Sequence, residues 1–366
     1  MTDTEYMRIA LQLAKKGCGF TNPNPMVGAV IVKDGDIIGQ GYHQKYGELH
    51  AERNALANCK TSPAGAAMYV TLEPCCHSGL TPPCTDAILE SGIRRVVIGS
   101  CDPNPLVVGK GIELLRSCGI EVTKGVLKDE CDALNQIFFH YIQNRTPYVI
   151  MKYAMTMDGK IATSSGKSQW ITGEAATRRV HEDRHRYSAI MAGVGTVLAD
   201  DPLLTCRLEN NRNPLRIVCD THLKTPLSAK LVTTTGIAAT LLATANTDQE
   251  KHRPYLEAGC DILVLPQKEG HIDLNCLMKA LGERNIDSVI LEGGGMLNWS
   301  ALQCGIVNKV QAYIAPKLFG GSGKTPVMGI GIDNPDQAFH LSKPTISWFE
   351  EDILLESEVI RCSQES

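Results

Sequence analysis

The sequence predicts two α/β domains, residues 1–145 and 146–366. Three observations predict this. A chain of 366 residues exceeds what one hydrophobic core usually organises. Short apolar, β-branched runs alternate with segments of helical apolar spacing, the pattern of a sheet covered by helices. Around Gln143-Asn-Arg-Thr-Pro147 a polar stretch with a proline interrupts that alternation, which then begins again; such a stretch suits a domain boundary.

In the first half, Met7, Ala10, Leu11 and Ala14 share one face of a helix. Val27 to Val32 reads as a strand, Asp34-Gly35 as a tight turn, and Ile37-Ile38 as part of the hairpin partner. A helix is expected over Leu49 to Cys59 and a strand over Met68 to Leu72, ending at Glu73-Pro74. Cys84 to Ser91 follows as a helix stopped by Gly92, then Val96 to Gly99 as a buried strand and Gly111 to Ser117 as a helix. The second half offers strands at Tyr148 to Ala154, Ala189 to Ala192, Leu215 to Cys219, Ala239 to Ala243, Ile262 to Leu265, Ser288 to Leu291 and Val310 to Ala315. Met296 to Leu302 looks helical, and Thr345 to Ile360 reads as a strand pair turning at Glu350-Glu351-Asp352. The halves do not resemble each other, and neither contains a repeat.

Composition narrows the function. A hydrophobic share of 43% and a charged share of 21% are those of a globular protein. The net charge of -4, with no long basic run, argues against nucleic acid or an anionic membrane as partner. No apolar stretch is long enough to span a bilayer. The N-terminus lacks the basic start and apolar centre of a signal peptide, so a cytoplasmic location is expected. The 14 cysteines do not form a disulfide framework. Scattered ones such as Cys18, Cys118, Cys219 and Cys260 are expected to be small buried apolar residues. Cys75, Cys76 and Cys84 are clustered and need another explanation.

His50-Ala51-Glu52 precedes Pro74-Cys75-Cys76-His77-Ser78-Gly79-Leu80-Thr81-Pro82-Pro83-Cys84. One imidazole and two thiolates suit zinc, and three protein ligands leave a position for water. Zinc brings the pKa of that water toward neutrality. A carboxylate that is not a ligand, here Glu52, can take the water proton and return it to a leaving amine. His-x-Glu followed by Pro-Cys and a further Cys is the arrangement of zinc nucleobase deaminases. The interval between thiolates is Cys-x8-Cys instead of Cys-x2-Cys, and its glycine and prolines read as a loop. Cys84 then opens a helix whose positive end favours a thiolate. Chemistry alone leaves Cys75 and Cys76 as alternatives. A purely structural zinc site, with Cys76 or His77 as fourth ligand, would not require Glu two residues after His.

Taken together, the motifs resemble the bifunctional riboflavin-biosynthesis deaminase–reductase family. The resemblance runs through Asn22-Pro-Asn-Pro-Met-Val-Gly28, Gly39-Gln-Gly-Tyr-His43, His50-Ala-Glu52, the Pro74 to Cys84 segment, Asp102-Pro-Asn-Pro105 and Gly109-Lys-Gly111. The long loop with Thr-Pro-Pro before the last cysteine is the family's form, and implies Cys75 and Cys84 as ligands beside His50. The resemblance also implies that Asn24, His43, His77, Asp102 and Asn104 line the pyrimidine pocket of a cytidine-deaminase-like three-layer α/β/α domain.

The second half is similar to the family's reductase domain, which is related in fold to dihydrofolate reductase. The matching segments are Lys152-Tyr-Ala154, Met157-Asp158-Gly159-Lys160, Ser168-Gln-Trp170-Ile-Thr172, Gly195-Thr-Val-Leu-Ala-Asp200-Asp-Pro-Leu-Leu204-Thr-Cys-Arg207 and Glu292-Gly293-Gly294-Gly295. Thr156-Met157 stands where the family often has Ser-Leu. A strand, a glycine turn and a helix start can cradle phosphate on free backbone N–H groups, although a plain tight turn fits the spacing equally well. By resemblance, Gly293, Gly294 and Gly295 hold the pyrophosphate of NADPH, with Ala154, Trp170, Thr196 and Asp200 near the cofactor. Lys152, Ser168, Arg184, Leu204, Arg207 and Glu292 are then expected to contact a pyrimidine ribosyl phosphate. Arginine suits phosphate through its fixed fork of donors, but spacing alone puts Arg184, among Arg178, Arg179 and Arg186, on a solvated helix face.

The resemblance implies deamination first, then hydride transfer to the sugar C1′, and pairing of reductase domains into a homodimer or larger assembly. A deaminase of tRNA or free cytidine with an unrelated second half is disfavoured by the charge and by the reductase motifs. A non-catalytic zinc-stabilised binding protein would show neither activity. Gly321-Ser-Gly-Lys-Thr325 imitates the end of a P-loop, but the required first glycine would fall at Leu318 and Pro326 breaks the following helix. It is expected to be a loop.

Overall fold

The computed structural model describes residues 1–104, 107–168 and 170–360. Pro105 of the Asp-Pro-Asn-Pro segment and Gln169, beside Trp170, lie outside the described residues. The chain divides into two compact units, Met1–Arg145 and Thr146–Ser366.

The first unit opens with α1 (Asp3–Lys15), started by a capping box. Thr2 N donates to Glu5 Oε2 at 2.7 Å, and Glu5 N donates to Thr2 Oγ1 at 3.4 Å; caps of this kind contribute about 1 kcal/mol. Then come β1 (Gly28–Lys33), β2 (Asp36–Tyr42), α2 (Ala51–Ala57), β3 (Ala67–Leu72), α3 (Cys84–Glu90), β4 (Arg95–Ser100), α4 (Lys110–Ser117), β5 (Glu121–Lys124), α5 (Lys128–Leu134) and α6 (Gln136–Asn144). Asp34 and Gly35, both at positive φ, make the hairpin turn between β1 and β2. The sheet order is β2-β1-β3-β4-β5. β1 runs antiparallel to both neighbours, whereas β3, β4 and β5 are parallel.

Two apolar layers cover this sheet. Ala29, Ile31, Met68, Val70, Val96 and Ile98 pack with Ala55, Ile88 and Leu115 of α2, α3 and α4. Val30, Tyr69 and Val97, on the opposite face, pack with Met7 and Leu11 of α1 and with Cys131 of α5. Burial on both faces explains why the strands read as unbroken apolar runs. The helix expected from Leu49 is shorter, and His50 is its N-cap in extended conformation. α5 and α6 were not expected from the sequence.

The second unit contains β6 (Tyr148–Thr156), α7 (Glu174–Arg186), β7 (Ala189–Gly193), α8 (Val194–Asp200), β8 (Leu215–Cys219), α9 (Lys230–Thr233), β9 (Thr240–Thr244), α10 (Gln249–Glu257) and β10 (Asp261–Val264). A small hairpin, β11 (Gln267–Lys268) and β12 (His271–Ile272), leads to α11 (Leu274–Glu283), β13 (Ser288–Leu291), α12 (Gly295–Gln303) and β14 (Val307–Ala315). β15 (His340–Leu341), β16 (Thr345–Phe349) and β17 (Asp352–Ile360) close the unit. The sheet order is β10-β9-β8-β7-β13-β6-β14-β17-β15, with β16 also on β17. From β10 to β14 all neighbours are parallel; β17 is antiparallel to β14. The strand order reverses around β7, β13 and β6, and the crevice beyond the carboxyl ends of such strands is where α/β sheets take ligands. Among the described residues, no helix is long and apolar enough to cross a membrane.

Candidate active sites

In the first unit, glycines set the position of the His-x-Glu segment. A Cβ on Gly41 of β2 would lie 2.3 Å from Ala55 N and 2.6 Å from Ala51 O, so only glycine lets α2 rest this close to the sheet. Asn54 Nδ2 donates to Tyr42 O at 2.9 Å and to Leu49 O at 3.2 Å, which fixes the helix start. His50 and Glu52 therefore enter one cavity from the N-terminal end of α2. Cys75 follows the end of β3, and Cys84 begins α3. Cys84 N donates to Cys75 O at 3.1 Å and to Cys75 Sγ at 3.4 Å. The loop between them is tied to α2 by Arg53, whose Nε donates to Pro82 O at 3.2 Å and Nη2 to Pro83 O at 2.6 Å.

This arrangement gathers His50, Cys75 and Cys84 with ligand atoms all within 4.8 Å of one another. Cys76 is not in the group. His50 Nδ1 lies 3.5 Å from Cys75 Sγ and 3.4 Å from Cys84 Sγ. Tetrahedral zinc, with bonds of about 2.05 Å to nitrogen and 2.3 Å to sulfur, requires an N···S separation of about 3.6 Å, so the donor set fits that ion. Its charge pattern fits as well. The hydrogen bond from the Cys84 thiol, helped by His50 and opposed by burial, stabilises the Cys75 thiolate. The same contact, with burial and the nearby Glu52, pushes the Cys84 thiol up. Two adjacent thiolates repel, and a divalent cation between them would reverse the second shift.

Glu52 lies beside the donors, only 3% exposed, and burial raises its carboxyl above the usual range. It lines a cavity of ≈190 Å³ that also receives Asn24, His43, His77, Asp102 and Asn104. His43 Nδ1 is 3.1 Å from the Leu49 carbonyl, which can only accept, so Nδ1 carries the proton. Nε2 then accepts from Asn24 Nδ2 at 3.3 Å. Burial keeps this imidazole neutral by lowering its pKa. His77 Nδ1 is buried and has no hydrogen-bond partner among the described residues. Asp102 is pushed up to about 6, chiefly by burial, although Asn104 N donates to its Oδ1 at 2.8 Å.

Sequence reasoning missed three contributors to this cavity. Glu73 accepts from Gly109 N at 3.1 Å and Ile112 N at 3.3 Å at the start of α4. Phe138 and Ile142 of α6 form an apolar wall. The apolar run from Ile137 to Ile142 was a visible signal, obscured by the boundary expected just after it. Asn135 holds this wall to the front of the unit, accepting from Met26 N at 2.9 Å and donating to Met26 O at 3.0 Å. The expectation for the scattered cysteines is corrected: Cys118 is exposed, at the C-cap of α4, Cys18 and Cys219 are half-buried, and of the four Cys260 is buried.

In the second unit a cavity of ≈410 Å³ opens beside Gly193 of β7 and the glycine turn after β13. It brings together Ser168, Thr196, Asp200, Gly294 and Gly295. Gly294 is the N-cap of α12. A Cβ there would stand 3.6 Å from Thr196 Oγ1, and one on Gly293 3.1 Å from Leu297 Cδ2. Side chains would thus fill a cradle that suits a phosphate-bearing nucleotide. Ala154, Trp170 and Gly293 do not line the cavity, and Trp170 is 68% exposed.

A second cluster stands at the end of β13. Arg184 grips Glu292 with two hydrogen bonds, Nε to Oε1 at 2.9 Å and Nη2 to Oε2 at 2.8 Å. Its Nη1 donates to Thr205 O at 3.0 Å, and Lys152 Nζ lies 3.6 Å from Glu292 Oε2. Burial pushes the Glu292 carboxyl up, but Arg184 and Lys152 outweigh it and hold the group at about 2. Spacing alone had put Arg184 in solvent; instead its side chain is 14% exposed, on the face of α7 that carries Val180 and His181 inward. Leu204 is buried nearby in sequence, and Arg207 is exposed without an ion pair among the described residues. His181 was not anticipated. It is buried, its Nδ1 has no partner among the described residues, and burial, Arg184 and Arg207 lower its pKa to about 4.

Three soft donors beside a buried carboxylate, in a three-layer α/β/α unit, define a metal-dependent deaminase, and the glycine cradle on a parallel sheet defines a nucleotide-dependent reductase. Residues 1–100 match the family model of the cytidine and deoxycytidylate deaminase zinc-binding region, and residues 147–355 that of the RibD C-terminal domain. The riboflavin biosynthesis protein RibD of Actinobacillus pleuropneumoniae is 57% identical over 361 residues, 98% of this chain and 96% of its own. That of Escherichia coli K12 is 42% identical over 337 residues, 88% of this chain and 90% of its own. Acinetobacter baumannii RibD superposes with a TM-score of 0.88 at 35% identity, covering 98% of this chain and 99% of that one. The Thermotoga maritima diaminohydroxyphosphoribosylaminopyrimidine deaminase/5-amino-6-(5-phosphoribosylamino)uracil reductase gives 0.86 at 37% identity with the same coverage. The chain belongs to the RibD family of riboflavin-biosynthesis deaminase–reductases, enzymes that work with zinc and NADPH.

Proposed function

We propose that the first unit deaminates 2,5-diamino-6-(5-phosphoribosylamino)pyrimidin-4(3H)-one and that the second reduces the ribosyl group of the resulting 5-amino-6-(5-phosphoribosylamino)uracil to ribityl. The names and chain-length likeness of the relatives support both substrates. The single observation carrying the reading is the His50, Cys75 and Cys84 donor set beside a buried Glu52 that is not part of it. When bound, zinc supplies an acidified water at the first site, and NADPH supplies hydride at the second.

Glu52 takes the proton of the attacking water and returns it to the departing amine; a carboxyl raised by burial suits both transfers. His43, held neutral, and Asn24 form a fixed polar pair against the heterocycle. His77, Asp102 and Asn104 complete the polar lining, and Phe138 and Ile142 exclude water.

In the second unit, Gly294 and Gly295 hold the cofactor with Thr196 and Asp200, which line the same cavity, while Gly293, Ala154 and Trp170 are assigned to it by the family resemblance alone. Lys152, Ser168, Arg184, Leu204, Arg207 and Glu292 serve the substrate. Arg184 spends its donors on Glu292 and Thr205 O, so it positions the carboxylate. The substrate phosphate falls to Arg207, whose fork has no internal partner among the described residues. A homodimer through the reductase domain accords with Ile346 and Trp348, 57% and 66% exposed on the sheet-edge strand β16. A cytoplasmic location accords with the small phosphorylated substrates.

The test is Glu52→Ala. Ammonia release from the diamino substrate is lost, bound zinc is retained, and NADPH oxidation with the deaminated substrate is unchanged. Loss of zinc from this variant would make Glu52 a ligand and remove its proposed role.

A further inference from the structure

Gly321-Ser-Gly-Lys-Thr325 has no helix after it; as expected, it is a loop. The loop is clamped on two sides. Ile161 N donates to Lys324 O at 2.9 Å, and a Cβ on Gly323 would lie 2.5 Å from Ala162 O, so only glycine allows this approach. On the other side Met328 N donates to Gly295 O at 3.0 Å, and the fully buried Asn298 donates to Pro326 O at 2.8 Å. These contacts fix Lys324 in the lining of the ≈410 Å³ cavity, which it shares with Gly294 and Gly295.

Lys324 is exposed at the wall of the cavity, and among the described residues its ammonium makes neither an ion pair nor a hydrogen bond. The carboxylate in the same lining, Asp200, accepts from Ser168 Oγ at 3.2 Å. An unpaired ammonium held on a cavity wall by a clamped loop is free to make a charge-assisted contact with an anionic ligand that enters there. The Lys152, Arg184 and Glu292 cluster does not line this cavity, so the pyrimidine's phosphate is the less suitable anion.

We propose that Lys324 binds a phosphate of the dinucleotide and sets the affinity of the second unit for it. The inference rests on the NADPH assignment above. It makes the P-loop-like lysine a phosphate ligand after all, delivered by a loop instead of a helix start, acting as a point charge.

Isothermal titration of the full-length chain with NADPH and with NADH tests this. Lys324→Ala weakens NADPH at least about tenfold, Lys324→Gln does the same, and Lys324→Arg restores most of the affinity. Weakening of NADPH alone supports contact with the 2′-phosphate, and equal weakening of both nucleotides supports contact with the pyrophosphate. Unchanged affinities in Lys324→Ala or Lys324→Gln with a wild-type thermal midpoint overturn the proposal, as does an effect confined to the KM of the pyrimidine. Failure of the wild-type chain to bind either nucleotide overturns the cofactor assignment, and this inference with it.

Discussion

Replacing Arg184 with Met removes both hydrogen bonds to Glu292 and leaves that buried carboxylate with Lys152 alone, at 3.6 Å. In the intact cluster Glu292 is held at about 2, against an ordinary 4.5. At about 1.4 kcal/mol per unit, the shift corresponds to about 3 kcal/mol, in line with the 3–5 kcal/mol typical of breaking a buried pair. Because the folded pKa is depressed, this contribution is fully present above about 4.5 and disappears as the pH falls toward 2. Arg184→Met is therefore expected to cost the second unit about 3 kcal/mol at pH 7, or roughly 6–12 °C in its thermal midpoint for a domain of this size. In the variant the abandoned carboxyl binds a proton more readily, so the deficit narrows between pH 7 and pH 5. Arg184→Met with Glu292→Gln removes the uncompensated charge and is expected to be more stable than the sum of the single changes predicts. Urea unfolding at both pH values reads all three quantities. A cost below about 1 kcal/mol, or a deficit independent of pH, would refute the view that Arg184 compensates Glu292.

Further expectations concern both sites. Arg207→Ala should raise the KM for the deaminated substrate at least about tenfold, one charged hydrogen bond's worth, and leave the KM for NADPH unchanged; steady-state kinetics decides. Asp102, raised to about 6 chiefly by burial, is protonated below that pH; kcat/KM for deamination should fall between pH 7 and pH 5, and Asp102→Asn should erase that inflection. Gly41→Ala forces a Cβ to within 2.3 Å of Ala55 N, so α2 must shift. Bound zinc should drop, and the first unit should lose about 1–3 kcal/mol, measured by metal analysis and thermal unfolding.

Local motifs revealed the chemistry, and remote contacts hid the binding. His50, Glu52 and Cys84 could be read from short spacings because metal chemistry restricts residue type. Cys75 and Cys76 could not be separated that way: both have the right atom, and only the path of the chain after β3 decides which thiol faces His50 Nδ1. His43 has no local signal of its own, because its partners, Asn24 and the Leu49 carbonyl, meet it only after the sheet assembles. Arg184 was misread for a similar reason. Three nearby arginines suggested solvent, whereas its carboxylate partner lies 108 positions away. The strands were legible because both sheets are covered on two faces. α5 and α6 were not: they are short, abut one another, and run into the polar stretch before Pro147, so neither carries a separate helical period.

The clamp between Asn135 and Met26 has an architectural consequence. The stretch matched by the deaminase family model ends at residue 100, and by then the three proposed zinc donors and Glu52 have been encoded. Asp102, Asn104, Phe138 and Ile142, which shape much of the space above them, come afterwards. The first unit is thus written in two instalments, a reaction centre and a fitting room. Exchanging the second instalment between relatives would alter which base is admitted while the metal stays where it is, provided that the asparagine fastening the two pieces together travels with it.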